Sequence, residues 1–206
     1  MRIIFATGNK GKLREIDDIL KDLSIPIVSM KDAGITSEPD ETGVTFEENA
    51  IIKAKHAADV LKEKDAIYMA DDSGLEVDAL GGEPGVYSAR YMGEDTPYTV
   101  KNKNIIDRLD GVENDKRTAR FVCAIAAVLP DGEVVTTRGT IEGKIGYEER
   151  GTNGFGYDPI FYLPDMSVST AELSPDGKNR ISHRGRALEA MKIRLKEILK
   201  QQEREL

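Results

Sequence analysis

Cysteine, histidine and long apolar runs are scarce in this sequence, and each scarcity excludes a class of protein. The single cysteine, Cys123, cannot form a disulfide within the chain, and no cysteine–histidine spacing typical of zinc is present. The longest apolar run, FVCAIAAVL at 121–129, is far too short to cross a bilayer. The stretch MRIIFATGNKG at 1–11 lacks the apolar region of a signal peptide. We therefore expect a cytoplasmic protein without a membrane partner.

An excess of positive charge is also absent. The chain has 29 lysines and arginines against 37 aspartates and glutamates, which gives a formal net charge of −8. Broad binding to nucleic acid normally needs a dense basic surface, so we expect no nucleic-acid partner. A small polyphosphate ligand remains compatible with this charge, because it needs only a few basic side chains in one place.

The hydrophobic pattern over 206 residues predicts an α/β fold with a mixed sheet flanked by helices. Strands are expected at 2–7, 25–30 and 66–70, with the last of these ending at Asp71 and Asp72. Helices are expected at about 13–23, 46–64, 97–109 and 185–202. Thr45 and Glu48 are spaced as a capping box for the second helix. The sequence PDG between two apolar runs beyond residue 118 predicts a hairpin.

The stretch TGNKGK at 7–12 has the residue types of a phosphate-binding turn but not the spacing of a Walker loop. A Walker loop has four residues between its first glycine and the Gly-Lys pair, followed by Ser or Thr. Here only Asn9 and Lys10 separate Gly8 from Gly11, and Leu13 follows Lys12. Amides at the start of a helix, together with two lysines, would still attract an anion. From this stretch alone, a plain strand-to-helix turn with solvated lysines is an equal alternative.

Acidic residues in two segments are candidates for a metal site. At a strand end, one of Asp71 and Asp72 should face a ligand crevice while the other is bound within the protein. Such a carboxylate can hold magnesium or deprotonate a water. Glu38, Asp40 and Glu41 in the preceding loop are candidates for a further ligand, although loop carboxylates are usually only solvated.

Three further segments carry polar or aromatic side chains suited to a nucleotide. Asn49, Lys53 and His56 share one helix face, where Lys53 could reach a phosphate or simply be solvated. TNGFGYDP at 152–159 reads as a shaped loop, in which Phe155 could stack on a base or pack in the core. KNRISHRGRA at 178–187 supplies cationic donors suited to a phosphate or a base carbonyl.

Five motifs taken together resemble one family. TGNKGK, ETGVTFEENA, ADDSGLEVDALGGEPGVYSARY, GFGYDPIF and SHRGRA follow one another between residues 3 and 188. In this order they are similar to the inosine/xanthosine triphosphate pyrophosphatases. The resemblance implies one domain over residues 1–206, with an elongated mixed sheet, two lobes and a central cleft. It also implies a homodimer and magnesium-dependent hydrolysis of ITP, dITP and XTP to the monophosphate and pyrophosphate.

The resemblance also implies roles for individual residues. Asp72 would be the general base and a magnesium ligand, and Glu41 the other carboxylate at the metal. The remaining residues would bind the purine nucleoside triphosphate: Thr7, Gly8, Asn9, Lys10, Gly11 and Lys12 at the triphosphate, Ser73 elsewhere on the substrate, Phe155, Gly156, Tyr157 and Asp158 in a base-binding loop, and Lys178, His183 and Arg184 around the purine. Asp158 is further hypothesised to accept the N1–H that adenine lacks.

Two other functions remain open from the sequence. A pyrophosphatase of related fold could prefer modified pyrimidines or standard dNTPs, although GFGYDP and SHR favour a purine pocket. A non-catalytic nucleotide-binding protein would keep the lysines and aromatic residues but would not need Asp72 or Glu41. A panel of nucleotides would decide the first possibility, and binding without magnesium-dependent release of pyrophosphate would support the second.

Overall fold

The computed structural model describes residues 1–7, 10–164, 167–174, 177–178 and 181–202. Six strands run over Arg2–Phe5 (β1), Ile27–Ser29 (β2), Ala66–Val77 (β3), Thr118–Val128 (β4), Val134–Ile145 (β5) and Phe161–Tyr162 (β6). α-Helices run over Lys10–Leu20 (α1), Phe46–Leu61 (α2), Tyr98–Arg108 (α3) and His183–Gln202 (α4). Each predicted helix is present, with ends that differ from the sequence-based bounds by a few residues.

The strands form one six-stranded sheet of mixed direction, in the order β2-β1-β3-β4-β5-β6. Strand β1 pairs in parallel with both β2 and β3, whereas β5 and β6 are antiparallel. Strands β4 and β5 are neighbours joined by residues 129–133, a connection that is short enough only for an antiparallel pair. Gly132 has a φ of 89° in this turn, which a glycine adopts without strain. The predicted hairpin and mixed α/β sheet are therefore confirmed.

The chain divides into two compact units. The first unit comprises Met1–Asp72, Cys123–Gly139 and Arg184–Leu206, and the second comprises Ser73–Val122 and Thr140–His183. The first has a core that includes Phe5, Ile67, Cys123 and Leu188, all fully buried. The second has a separate core around Leu75, Ile105, Phe121 and Phe161. The prediction of one domain with two lobes and a cleft stays a prediction.

Strand β3 is longer than the sequence analysis predicted. It was expected to end at Asp71 and Asp72, but it continues through both residues to Val77. Strands tolerate carboxylates at buried positions when cations or amides pair with them, and both aspartates have such partners. The two carboxylates thus lie in the middle of a strand rather than at its carboxyl end.

The first turn of α2 holds the preceding loop against the helix. Thr45 Oγ1 accepts from the Glu48 amide, and the Glu48 carboxylate accepts from the Thr45 amide, so the predicted capping box is confirmed. Asn49 Oδ1 accepts from the Gly43 amide at 2.8 Å. A Cβ at Gly43 would lie 2.6 Å from that oxygen, so this close approach requires glycine. The cap therefore fixes both the helix and the loop that carries Glu41.

No helix within the described ranges is both long and apolar enough to cross a membrane.

Candidate active site

Asp71 lies at the centre of a buried cluster of charges in the first unit. Lys12 Nζ, in the first turn of α1, contacts its carboxylate oxygens at 2.9 and 3.2 Å, and Arg184 Nε is 3.3 Å from Oδ2. Burial alone would raise the pKa of Asp71, but the Lys12 ammonium and the Arg184 guanidinium hold it well below its usual range. Asp71 is therefore the aspartate that is bound within the protein, and it fixes two cations.

Asp72 faces a different set of partners on α2. Lys53 Nζ lies 2.9 Å from Oδ1, and Asn49 Nδ2 lies 3.4 Å from Oδ2. Burial raises the pKa of Asp72 above its ordinary value, and the neighbouring Lys53 only partly opposes this effect. A carboxylate with a raised pKa binds a proton more readily, as a general base must.

Lys53 connects Asp72 with the loop before α2. Its Nζ atom lies 3.2 Å from Glu41 Oε1 in addition to the contact with Asp72. Burial would lower the pKa of Lys53, but the surrounding carboxylates, Asp72 foremost, raise it. The ammonium therefore stays charged between two carboxylates, and Lys53 is not merely a solvated residue of the helix surface.

The carboxylates of Asp72 and Glu41 fit a magnesium ion. Both contact one cation, the Lys53 ammonium, so their oxygens can approach a common positive charge. Magnesium prefers hard oxygen ligands and usually takes only one or two protein carboxylates, the rest being waters and phosphates. Among the described residues no group of three or more His, Cys, Asp or Glu side chains could hold a metal. The pair formed by Asp72 and Glu41 agrees with the preference of magnesium for one or two protein carboxylates.

A cavity of about 120 Å³ lies in the first unit beside Lys53. Its polar lining includes Thr7, Glu38, Glu41, Lys53 and His56. His56 Nε2 contacts Ser37 Oγ at 2.9 Å. All three polar residues predicted on this face of α2 therefore have partners, since Asn49 and Lys53 contact Asp72 and Lys53 also contacts Glu41. The other acidic candidate of this loop, Asp40, is exposed.

The motif TGNKGK is described only in part. Thr7 is buried after β1, and Lys12 pairs with Asp71. Lys10 and Gly11 lie in the first turn of α1, and their side-chain environment is not described. Gly8 and Asn9 lie outside the described residues, so their predicted contact with a triphosphate stays a prediction.

The loop GFGYDP, residues 154–159 of the second unit, exposes one of its two aromatic rings. Phe155 is 63% exposed, and Lys178 Nζ lies 4.9 Å from its ring centroid. Tyr157 is buried, donates its hydroxyl hydrogen to the Ser88 carbonyl at 2.7 Å and packs edge-on against Tyr98. Of the two rings, Phe155 is thus the one exposed for stacking on a planar ligand.

Asp158 organises the GFGYDP loop from within. Its Oδ2 atom accepts from the Phe155 amide at 2.8 Å and from Lys178 Nζ, and its Oδ1 atom accepts from Thr170 Oγ1 at 2.8 Å. A Cβ at Gly154 would lie 2.2 Å from Asp158 Oδ2. The carboxylate is largely engaged by the protein itself, and its hypothesised contact with N1–H stays a prediction.

The residues predicted around the purine fall in both units. Lys178 and His183 belong to the second unit, where the His183 ring stacks on Phe121 at 5.2 Å. Arg184 belongs to the first unit and pairs with Asp71. Ser73, the first residue of the second unit, is half-buried in β3. The sequence motif SHR therefore divides between the two units at His183.

Comparisons with known proteins place this chain among relatives of similar length. A "dITP/XTP pyrophosphatase" of Exiguobacterium sibiricum is 48% identical over 195 residues, which cover 95% of this chain and 97% of the relative. The protein of that name from Bacillus licheniformis is 50% identical over 189 residues, which cover 92% and 95%. The solved structure of the Staphylococcus aureus Ham1 protein superposes with a TM-score of 0.87 at 40% identity, covering 95% of this chain and 98% of that one.

A second solved structure, a HAM1 protein from Coxiella burnetii, gives a TM-score of 0.88 at 41% identity and covers 96% of this chain and 99% of that one. The sequence profile of the Ham1 family matches residues 3–194. These matches extend over nearly the whole sequence. The chain belongs to the Ham1 family.

Proposed function

We propose that this protein hydrolyses dITP, ITP and XTP to the nucleoside monophosphate and pyrophosphate. Its relatives named dITP/XTP pyrophosphatases support the reaction class. The structural observation that carries the proposal is the contact of one ammonium, Lys53, with two carboxylates, Asp72 and Glu41. This arrangement offers both a proton acceptor and cation ligands next to a side chain that can bind phosphate.

The reaction is the hydrolysis, by a water molecule, of the anhydride bond between the α and β phosphates. Asp72 would accept a proton as the water oxygen bonds to phosphorus, and the bridging P–O bond would break to give the monophosphate and pyrophosphate. Lys12 and Lys53 would bind oxygens of the triphosphate, whose negative charge they offset. The contacts with Lys53 and Asn49 hold the Asp72 carboxylate in place for this role.

Magnesium is the cofactor that we propose for this reaction. Asp72 and Glu41 would hold the ion, and when bound it would offset the charge that the phosphate oxygens develop during cleavage. Lys53 already contacts both carboxylates and would keep them oriented towards a common point.

Base recognition is proposed for the second unit. Phe155 would stack on the purine, and Lys178 beside it is a donor of the type that binds a base carbonyl. Hypoxanthine and xanthine have a carbonyl at C6, whereas adenine has an amine. A donor matched to the carbonyl would be left unpaired by adenine, a mismatch that can discriminate by roughly 10⁴.

A panel of nucleotides tests the proposed reaction. With magnesium, we expect pyrophosphate from dITP, ITP and XTP and little from dATP or ATP, measured by separate assays for pyrophosphate and orthophosphate. Chelation of the metal should abolish release, and added magnesium should restore it. Cleavage of modified pyrimidine or standard dNTPs instead would favour the related pyrophosphatases, and binding without hydrolysis would favour a non-catalytic protein.

Glu41→Gln tests the proposed metal ligand. The variant should need at least about tenfold more magnesium for half-maximal activity, because an amide oxygen replaces a charged ligand. Glu38→Gln is the matched variant, since Glu38 lines the same cavity but its carboxylate has no contact with Lys53 among those described. A larger magnesium shift in Glu38→Gln than in Glu41→Gln would contradict the assignment.

We also propose, from the family resemblance, that the protein is a cytoplasmic homodimer. Light scattering coupled to size exclusion should give twice the mass of the chain. A monomer at micromolar concentration would refute the dimer without affecting the proposed reaction.

A further inference from the structure

The Asn102 side chain, on α3 in the second unit, donates hydrogen bonds through its nitrogen but accepts none through its oxygen among the described residues. Its side-chain amide Nδ2 donates to the Gly156 carbonyl at 3.2 Å and to Glu149 Oε1 at 2.7 Å. The residue is 1% exposed. Its Oδ1 atom is buried and has no hydrogen-bond partner within the described ranges. The Asn102 side chain thus acts as a donor only.

The unpaired Oδ1 atom makes asparagine at position 102 costly for the stability of the fold. A buried acceptor without a partner is destabilising, and an apolar side chain of similar size would avoid that cost. What asparagine supplies here, and an apolar residue could not, is the pair of donated hydrogen bonds. One of these hydrogen bonds fixes the GFGYDP loop.

The GFGYDP loop is held at two points that flank Phe155. Asp158 holds it on one side by accepting from the Phe155 amide, and Asn102 holds it on the other by donating to the Gly156 carbonyl. Gly156 has a φ of +69°, in the region that glycine adopts far more readily than other residues, so its peptide orientation is not restricted by a side chain. The hydrogen bond from Asn102 therefore restrains the orientation of that peptide.

Helix α3 supports the same loop at a second point. The Tyr98 ring packs edge-on against Tyr157, with centroids 5.2 Å apart, and its Cε1 atom would lie 3.5 Å from a Cβ at Gly156. Tyr98 and Asn102 are one turn apart on the helix, so both reach the loop from the same face.

We infer that Asn102 is a positioning residue for base recognition, which acts by holding the Gly156 carbonyl and thereby the direction of the Phe155 ring. The inference rests on the proposed function, in which Phe155 stacks on the purine. Loss of the hydrogen bond should leave Phe155 present but poorly oriented. We therefore expect a change in nucleotide affinity and base preference rather than in the chemical step.

The test uses Phe155→Trp as a reporter, because the natural sequence contains no tryptophan. In this background, Asn102→Ala should lower the steady-state anisotropy of the introduced indole and raise KM for dITP about five- to tenfold. The value of kcat should stay within about twofold, and the preference for dITP over dATP should fall. Asn102→Leu, which has a similar volume but no N–H and no unpaired polar atom, should behave in the same way and serves if the alanine variant does not fold.

Two controls, made in the same reporter background, separate positioning from a general structural role. Lys103→Ala removes an exposed side chain from the same helix and should change neither the anisotropy nor KM. Glu149→Ala removes the other acceptor of Asn102 but leaves the Gly156 contact, so the indole should keep its anisotropy. A lower unfolding midpoint in Asn102→Ala, with unchanged anisotropy and KM, would overturn the inference.

The two proposals fail in different ways. Absence of nucleotide hydrolysis in the natural protein would refute the proposed function. Equal anisotropy of the introduced indole with and without the Asn102 amide would refute the positioning role, whatever the enzyme hydrolyses.

Discussion

Asp72→Asn is expected to reduce the turnover of dITP by about 10²–10⁴-fold, the contribution typical of a positioned general base. The substitution removes the proposed proton acceptor and one charge but almost no volume. Lys53 and Asn49 both contact the Asp72 carboxylate, and an amide at this position can still accept from one of them. The variant should therefore fold and bind dITP, which calorimetry in the presence of magnesium would measure.

Asp59→Asn is the matched control for that experiment. Asp59 is an exposed aspartate on the same helix as Lys53, so the same chemical change should leave turnover within about twofold. Turnover by Asp72→Asn close to that of the natural protein would show that another group accepts the proton. Loss of folding in Asp72→Asn would instead show that the carboxylate is mainly structural.

Asp71→Asn is expected to lower the free energy of unfolding by about 3 kcal/mol, because it leaves two cations without their carboxylate in a buried place. The Asp71 side chain is 2% exposed, and Arg184 beside it is 9% exposed. Lys12 is 25% exposed, so water partly solvates its ammonium group. The expected loss of stability therefore lies at the lower end of the range usual for breaking a buried ion pair. Denaturant unfolding followed by circular dichroism would measure the difference.

Asp107→Asn provides the matched comparison. Asp107 pairs with Lys103 on the surface of α3, where the two side chains are 58% and 73% exposed. Loss of such an exposed pair should cost less than about 0.5 kcal/mol. Equal losses of unfolding free energy in Asp71→Asn and Asp107→Asn would mean that burial does not strengthen the contribution of the Asp71 ion pairs.

The contribution of Asp71 to the free energy of unfolding should also depend on pH. Its pKa is lower in the folded protein than its ordinary value of 3.8, because Lys12 and Arg184 outweigh the effect of burial. Such a group stabilises the fold above its unfolded pKa and loses that contribution as the pH falls towards its folded pKa. The difference between natural protein and Asp71→Asn should thus be constant near neutral pH and shrink below pH 3.8. A difference that grew on acidification would contradict the ion-pair explanation.

Local signals in the sequence predicted the helices well. The spacing of Thr45 and Glu48 predicted the start of α2, and the structure has the full capping box. The helical spacing of Asn49 and Lys53 placed them on one face, and both contact Asp72. These predictions succeed because caps and faces depend on residues within one or two turns.

The partners of Asp71 could not be predicted in the same way. Lys12 is 59 residues away in sequence and Arg184 is 113 residues away, and no local pattern connects them. For the same reason the predicted end of β3 fell at the aspartates, because nothing in the local sequence indicates that buried cations lie beside them. Asn102 was missed altogether, because an asparagine within a helix gives no signal of a contact with residue 156.

The exposure of Phe155 has a consequence for how this enzyme family can change. Its ring is largely exposed, while the backbone on either side is held by Asp158 and Asn102. A different side chain at this position should therefore leave the fold of the loop unchanged. With Phe155 in its proposed stacking role, substrate range could diverge here independently of stability, and a library restricted to residue 155 would test for new base preferences.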